Sequence, residues 1–406
     1  MICKNCKCEL KFCFTDMGFS PYANSYLRQK NLNQIEHHYP LRVLVCKKCF
    51  MVQTQDFANP NVIFSSDYAY YSSTSKIFLD HAENYVEKII KFLSLNKSKH
   101  VIEIASNDGY LLKNFVKRKI PCLGIEPAKD TAKESEKFGI KVIKKFFSYN
   151  LARHLSKKKA DLICANNVYA HVPDINDFTK GLKCLLKKEG TITLEFPHLL
   201  RLINDLKFDT IYHEHYSYLS LIVVKNIFKK NNLRVYHVEE IETHGGSLRV
   251  YGCHINSSIK ENKSVKKLIN KEKKYKLNKI ETYSKFNKKI KKIKFDFLSF
   301  LLKNKKLKKK ICGYGAAAKA STLINYCGIK NDIIDVIYDA AKSKQNKFLP
   351  GSHIPIVHPN RIQKDKPDII IIFPWNLSRE IMKKLNYVKM WNCKLLVAIP
   401  KIKYLK

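Results

Sequence analysis

The sequence predicts an α/β fold in which a small cysteine-bearing N-terminal region precedes two sheets of mainly parallel strands. Three observations predict it. Short apolar runs (HVIEIAS, CLGIEPA, DLICANNV, GTITLEF) recur between helical or loop stretches from about residue 76 to 255, the alternation of a parallel sheet flanked by helices. The same rhythm restarts at ICGYGAAAKASTLINY and continues through IIDVIYDA, DIIIIFPW and KLLVAIP. Two CxxC pairs mark the first 66 residues, where periodicity is weak.

Composition bounds the rest. At about 150 residues per domain, 406 residues suggest two or three domains. No uncharged apolar run approaches the roughly 18 residues of a membrane span, and MICKNCKCEL lacks the apolar segment of a secretion signal. The expected setting is cytoplasmic, with no membrane partner. The net charge of +40 comes from 66 lysines and nine arginines, scattered through every segment. Base reading leans on the planar arginine fork, so nucleic acid is not an expected partner. A basic field still attracts anionic small molecules such as sugar nucleotides. Thirteen cysteines in such a chain are not a disulfide framework.

Taken in order, residues 1–66 form the first region. Cys3-x-x-Cys6 and Cys46-x-x-Cys49 are two knuckles that together offer four thiolates to one tetrahedral zinc. Redox use is the rival reading, and Cys8 and Cys13 are close enough in sequence to replace a ligand. Residues 67–257 form the central region. VIEIASNDGYLL reads as strand, tight turn and helix start, with Glu103 in the strand and Asp108-Gly109 at the turn. Glu126 ends the next strand, 23 residues after Glu103, where an acid can accept both hydroxyls of a ribose. One glycine serves a pyrophosphate poorly, whereas S-adenosylmethionine carries no phosphate. FDTIYHEHYSYLS gathers Tyr212, His213, Glu214, His215, Tyr216 and Tyr218. The two histidines lack helical i, i+4 spacing for a metal, so acid–base work fits better, with plain aromatic packing as the alternative. His171 follows a strand end, where packing and function are equally open. LRVYHVEEIETHGGSLRVYGCHI reads as two strands joined at HGG, an antiparallel addition to the sheet edge. Residues 258–310 are lysine-rich with i, i+3, i+4 apolar spacing, predicting one or two bridging helices with a solvated charged face. Residues 311–406 open on Gly313-Tyr314-Gly315-Ala316-Ala317-Ala318, the GxGxxA pattern of close phosphate approach at a helix N-terminus. Lys319 adds a cation there, and Asp339 follows the next strand as a candidate ribose acid.

The ordered set resembles the sugar 3-C-methyltransferase family, which acts on nucleotide-linked 4-keto-deoxysugars. The likeness spans nearly the whole chain: CxxC…CxxC, IEIASNDGYLL, ANNVYAHVPDINDF, YHEHYSYLS, THGGSLR and GYGAAAKASTLINYCGI. It implies Rossmann-like central and C-terminal domains, a structural zinc ion on Cys3, Cys6, Cys46 and Cys49, and S-adenosylmethionine as methyl donor. Glu103, Ser106, Asp108, Gly109, Glu126 and Asn166 would then hold that donor. His215 would be the general base, with Glu214, Tyr212 and His171 in the same pocket and a tyrosine of DYAYYSS reaching it. Tyr70 is the choice, with Tyr68 and Tyr71 as rivals. Gly313, Gly315, Lys319 and His244 would bind the nucleoside-diphosphate sugar. Ala320 departs from the glycine expected of relatives after Lys319, leaving the phosphate contact open. N- or O-methylation of a nucleotide sugar is the alternative chemistry, and a zinc-containing nucleic-acid-binding protein the alternative class. Nucleotide, sugar and oligomeric state, a monomer included, are not fixed by the sequence.

Overall fold

The computed structural model describes residues 1–55, 57 and 71–405. Tyr68, Tyr70 and the expected boundary at residue 66 therefore lie outside the described residues. Among the described residues no helix is long and apolar enough to cross a membrane.

The central apolar runs become a seven-stranded sheet. From edge to edge its order is Leu233–Ile241, Ser247–His254, Leu186–Pro197, Ala160–Asn166, Val101–Ile104, Cys122–Ile125 and Lys141–Ile143. All pairings are parallel except those of Ser247–His254, which runs against both neighbours. Val101–Ile104 and most of Ala160–Asn166 are buried, which is why they read as unbroken apolar runs and not as alternation. The chain goes from Val101–Ile104 to one side and later returns on the other through Ala160–Asn166. Ligands of open parallel sheets bind at such a switch point, beyond the carboxyl ends of the strands.

The C-terminal run forms an eight-stranded sheet ordered Lys403–Tyr404, Lys394–Val397, Ile369–Ile372, Ile311–Tyr314, Ile337–Tyr338, Pro355–Val357, Lys347–Phe348 and Leu27–Arg28. Five of these strands are parallel, and the last belongs to the N-terminal region. A four-stranded antiparallel sheet built on Phe12–Ser20, Tyr39–Val45 and Val52–Thr54 likewise takes its fourth strand from elsewhere: Ser217–Tyr218, inside the histidine-rich stretch. The three sheets thus exchange short strands.

The lysine-rich segment forms three helices where one or two were expected: Lys263–Lys274, Glu281–Ser284 and Phe286–Lys306. Lys276 in the left-handed region breaks the first from the others. Their apolar faces are buried, with Phe286 stacked on Phe14 at 4.5 Å. Glu272, amid lysines, is fully buried. It accepts hydrogen bonds from His198 Nε2 (2.8 Å) and from the backbone N–H groups of Leu221 (2.7 Å) and Ile222 (2.9 Å), capping helix Leu221–Lys230. Glu272→Ala leaves three buried donors without an acceptor. It is expected to cost about 3 kcal/mol, read as a lowered urea midpoint at unchanged slope.

Candidate active site

Past the strand Val101–Ile104 the backbone kinks at alternate residues, with positive φ at Ala105 (57°), Asn107 (50°) and Gly109 (77°). The carboxylate of Glu126 supports this turn by accepting the N–H groups of Asn107 and Ala128, each at 2.9 Å. Asn107 and Asp108 in turn accept the N–H groups of Ser72 (2.9 Å) and Ser73 (3.0 Å), anchoring the chain just after the tyrosine stretch. Tyr71 faces Asp108, Asp130 and Glu134.

A cavity of about 360 Å³ opens beside this turn. Of the residues expected to hold the methyl donor, Glu126 and Asn166 line it, together with Asn107 and Tyr110. Glu103, Ser106, Asp108 and Gly109 do not line it. Glu103 is buried without a hydrogen-bond partner among the described residues. Burial, then Glu126 and Asp108, push its carboxyl well above the usual range. The Glu126 oxygens keep lone pairs beyond the two backbone bonds, and the Asn166 carbonyl oxygen is buried without a partner among the described residues. Acceptors at these places suit a ribose and an ammonium group.

Tyr212, Glu214, His215, His171 and His244 all line the same cavity. His215 Nδ1 lies 2.8 Å from the Thr210 carbonyl. A carbonyl can only accept, so Nδ1 carries the proton and Nε2 the lone pair. Tyr212 packs over the imidazole at 4.0 Å and His171 meets it edge-on at 4.6 Å. Burial, followed by His171, lowers the His215 pKa well below the ordinary histidine range, so the ring is neutral. His171 is pushed down to about 4 by burial, against the Glu214 backbone carbonyl that accepts its proton. His244, itself in the left-handed region, is lowered to about 4 by burial and then by Lys319. Burial pushes Glu214 up to about 7, with Asn24 pulling the other way.

The opposite wall is C-terminal. Ala317, Ala318 and Lys319, at the start of helix Ala318–Cys327, line the cavity with Lys344. Gly313 and Gly315 do not. A Cβ on Gly313 would meet Phe373 at 2.5 Å, and one on Gly315 (φ 86°) would meet Pro374 at 2.5 Å. The Asp339 carboxylate is bound to the N–H groups of Ala316 (2.7 Å) and Ala341 (2.8 Å). Lys319 donates to Asn376 (2.8 Å) and lies 4.9 Å from the Trp375 ring, whose N–H donates to buried Asp209 at 2.6 Å. Asn24, Lys344, Asp209 and Trp375 escaped the sequence reading. Asn24 and Lys344 lie outside any recognisable pattern, whereas Asp209 sits within FDTIYHEHYSYLS and Trp375 closes DIIIIFPW without standing out there.

The knuckles meet near the N-terminal sheet. Cys3 and Cys49 sulfurs are 3.5 Å apart, as are those of Cys6 and Cys46, and all four lie within 4.8 Å of one another. Zn–S bonds of about 2.3 Å give tetrahedral edges of about 3.8 Å, so the set fits zinc. Each knuckle closes the same way: Lys7 N–H bonds the Cys3 carbonyl (3.0 Å) and Phe50 N–H that of Cys46 (2.9 Å), with Lys7 and Phe50 both left-handed. Among the described residues Cys8 and Cys13 stand outside the cluster.

Comparison with known proteins gives three family matches: a zinc binding domain over residues 3–64, a methyltransferase domain over 78–238 and a C-methyltransferase C-terminal domain over 242–400. The chain is 28% identical to the C-methyltransferase NovU of Streptomyces niveus over 367 residues, 90% of this chain and 87% of NovU. The PH0226 protein of Pyrococcus horikoshii OT3 aligns at 15% identity with 49% of this chain and 100% of its own, TM-score 0.38. Magnesium protoporphyrin IX methyltransferase of Synechocystis PCC 6803, with bound SAM, aligns at 12% identity with 44% of this chain and 81% of its own, TM-score 0.33.

Proposed function

We propose that this chain, which belongs to the S-adenosylmethionine-dependent C-methyltransferases and holds a structural zinc ion, methylates carbon 3 of a nucleotide-linked 4-keto-deoxysugar. The observation that carries this reading is the position of His215. Its carbonyl-fixed imidazole lines one cavity together with Glu126 and Asn166 and with Lys319 and Lys344. The first pair suits the acceptor needs of a methyl donor. The second, two ammonium groups and a helix N-terminus, suits a diphosphate.

In this reading the ketone acidifies the neighbouring carbon, and His215 Nε2 removes its proton. The imidazolium that forms needs a compensating negative charge, a role this reading gives to Glu214, which lines the same cavity. The developing enolate oxygen accepts a hydrogen bond from Tyr212, a donor aimed where charge appears; neutral His171 has its one N–H committed to the Glu214 carbonyl. S-adenosylmethionine, held by Glu126 and Asn166, would supply a methyl group bonded to positively charged sulfur, with the neutral thioether as its leaving group. Lys319 and Lys344 hold the sugar nucleotide, and fixing both reactants contributes much of the rate.

Enolisation is directly measurable. The 4-keto sugar nucleotide incubated with enzyme in heavy water, without methyl donor, is expected to exchange its carbon 3 proton. No exchange, with the methyl group then found on oxygen or nitrogen, overturns the proposal. A pH profile follows as well. Glu214 titrates near 7 and works ionised, so protonation below that pH removes the balancing charge. kcat/KM is expected to fall on the acid side with an apparent pKa of about 7, and Glu214→Gln is expected to lose that limb along with most of its rate.

A further inference from the structure

The strands Phe12–Ser20 and Tyr39–Val45 of the N-terminal sheet are joined by an excursion over residues 21–38. Tyr22 and Tyr39 stack at 4.8 Å where it begins and ends. Within it three consecutive attachments are made. Asn24 lines the cavity, and its side-chain N–H donates to Glu214 Oε2 at 2.7 Å. Tyr26 donates its hydroxyl to the Ala316 carbonyl at 2.6 Å, just before helix Ala318–Cys327. Leu27–Arg28 then pair with Lys347–Phe348.

Glu214 is 3% exposed. A carboxylate so buried is costly unless a donor meets it, and the Asn24 side chain meets it at 2.7 Å. An ionised carboxylate only accepts, so the amide must present its NH₂ group there, with its oxygen toward the Tyr26 hydroxyl at 3.3 Å. We infer that Asn24 is a positioning residue for methyl transfer, acting through Glu214, and that the zinc-bearing N-terminal region thereby completes the active site. The inference rests on the reading above, in which Glu214 works beside His215.

Asn24→Ala removes the side-chain donor; Asn24→Asp keeps the shape and sets a second carboxyl against the first. In zinc-loaded full-length enzyme, kcat is expected to fall at least tenfold for Asn24→Ala and further for Asn24→Asp. The KM for S-adenosylmethionine and the zinc content should match the parent, a split that a loss of structure alone would not give. Adding Asn24→Ala to Glu214→Gln is expected to cost no further rate. Parent-like kcat in both Asn24 variants, or losses that multiply in the double variant, overturns the inference while leaving the role of Glu214 intact. Parent-like turnover in Glu214→Gln alone removes that role, and the inference with it.

Discussion

His215→Asn is expected to fold, retain zinc, bind S-adenosylmethionine and lose turnover by at least about 100-fold, the lower end of what a positioned base contributes. Asparagine is the informative replacement because its amide can still donate to the Thr210 carbonyl, which His215 Nδ1 approaches at 2.8 Å. What it lacks is a basic nitrogen. Tyr212 and His171 would keep their places, since His171 is held by the Glu214 backbone and not by the imidazole. The proton-exchange assay in heavy water should fail in step with methyl transfer, because both need the same deprotonation. Exchange at the parental rate in this variant would remove His215 as the base.

Removing zinc is expected to have an effect of the same order by another route. Cys3 and Cys46 are fully buried, and Cys46 directly follows the strand Tyr39–Val45. Four thiols this close, unbridged by a cation, cannot all ionise. Structural zinc sites contribute on the order of 10 kcal/mol to the folding of their small domains. Cys46→Ser is therefore expected to unfold the N-terminal sheet and withdraw Asn24 from Glu214 and Leu27–Arg28 from the C-terminal sheet. Glu126 and Asn166 belong to the central sheet, so binding of S-adenosylmethionine should survive while turnover drops more than about 100-fold, the scale of losing a positioned active-site group. Calorimetry with the donor beside a turnover assay separates the two. Full turnover in zinc-free protein would assign the N-terminal region no part in catalysis.

Much of this is written in the sequence because it depends on local chemistry. Buried parallel strands must be apolar on both faces, so the central sheet announces itself. The cysteine knuckles and the histidine cluster stand out because few other roles gather those side chains so tightly. The less legible parts depend on contacts between distant segments. Glu272 looks like one more charge on a solvated helix until the fold sets it against His198 and a helix N-terminus. Asn24 lies in a stretch without periodicity. Gly313 and Gly315 show how a local pattern can have a cause other than the one expected of it. The pattern reports that a Cβ is not tolerated, and the groups that come close are Phe373 and Pro374.

The strand exchange also governs how the molecule comes apart. A fragment starting at residue 311 would present Lys347–Phe348 with its outer hydrogen-bonding groups bare, an invitation to pair with a neighbouring molecule. A fragment ending before residue 217 would leave Val52–Thr54 equally uncovered. Truncations at either seam should accordingly associate through the bared strands.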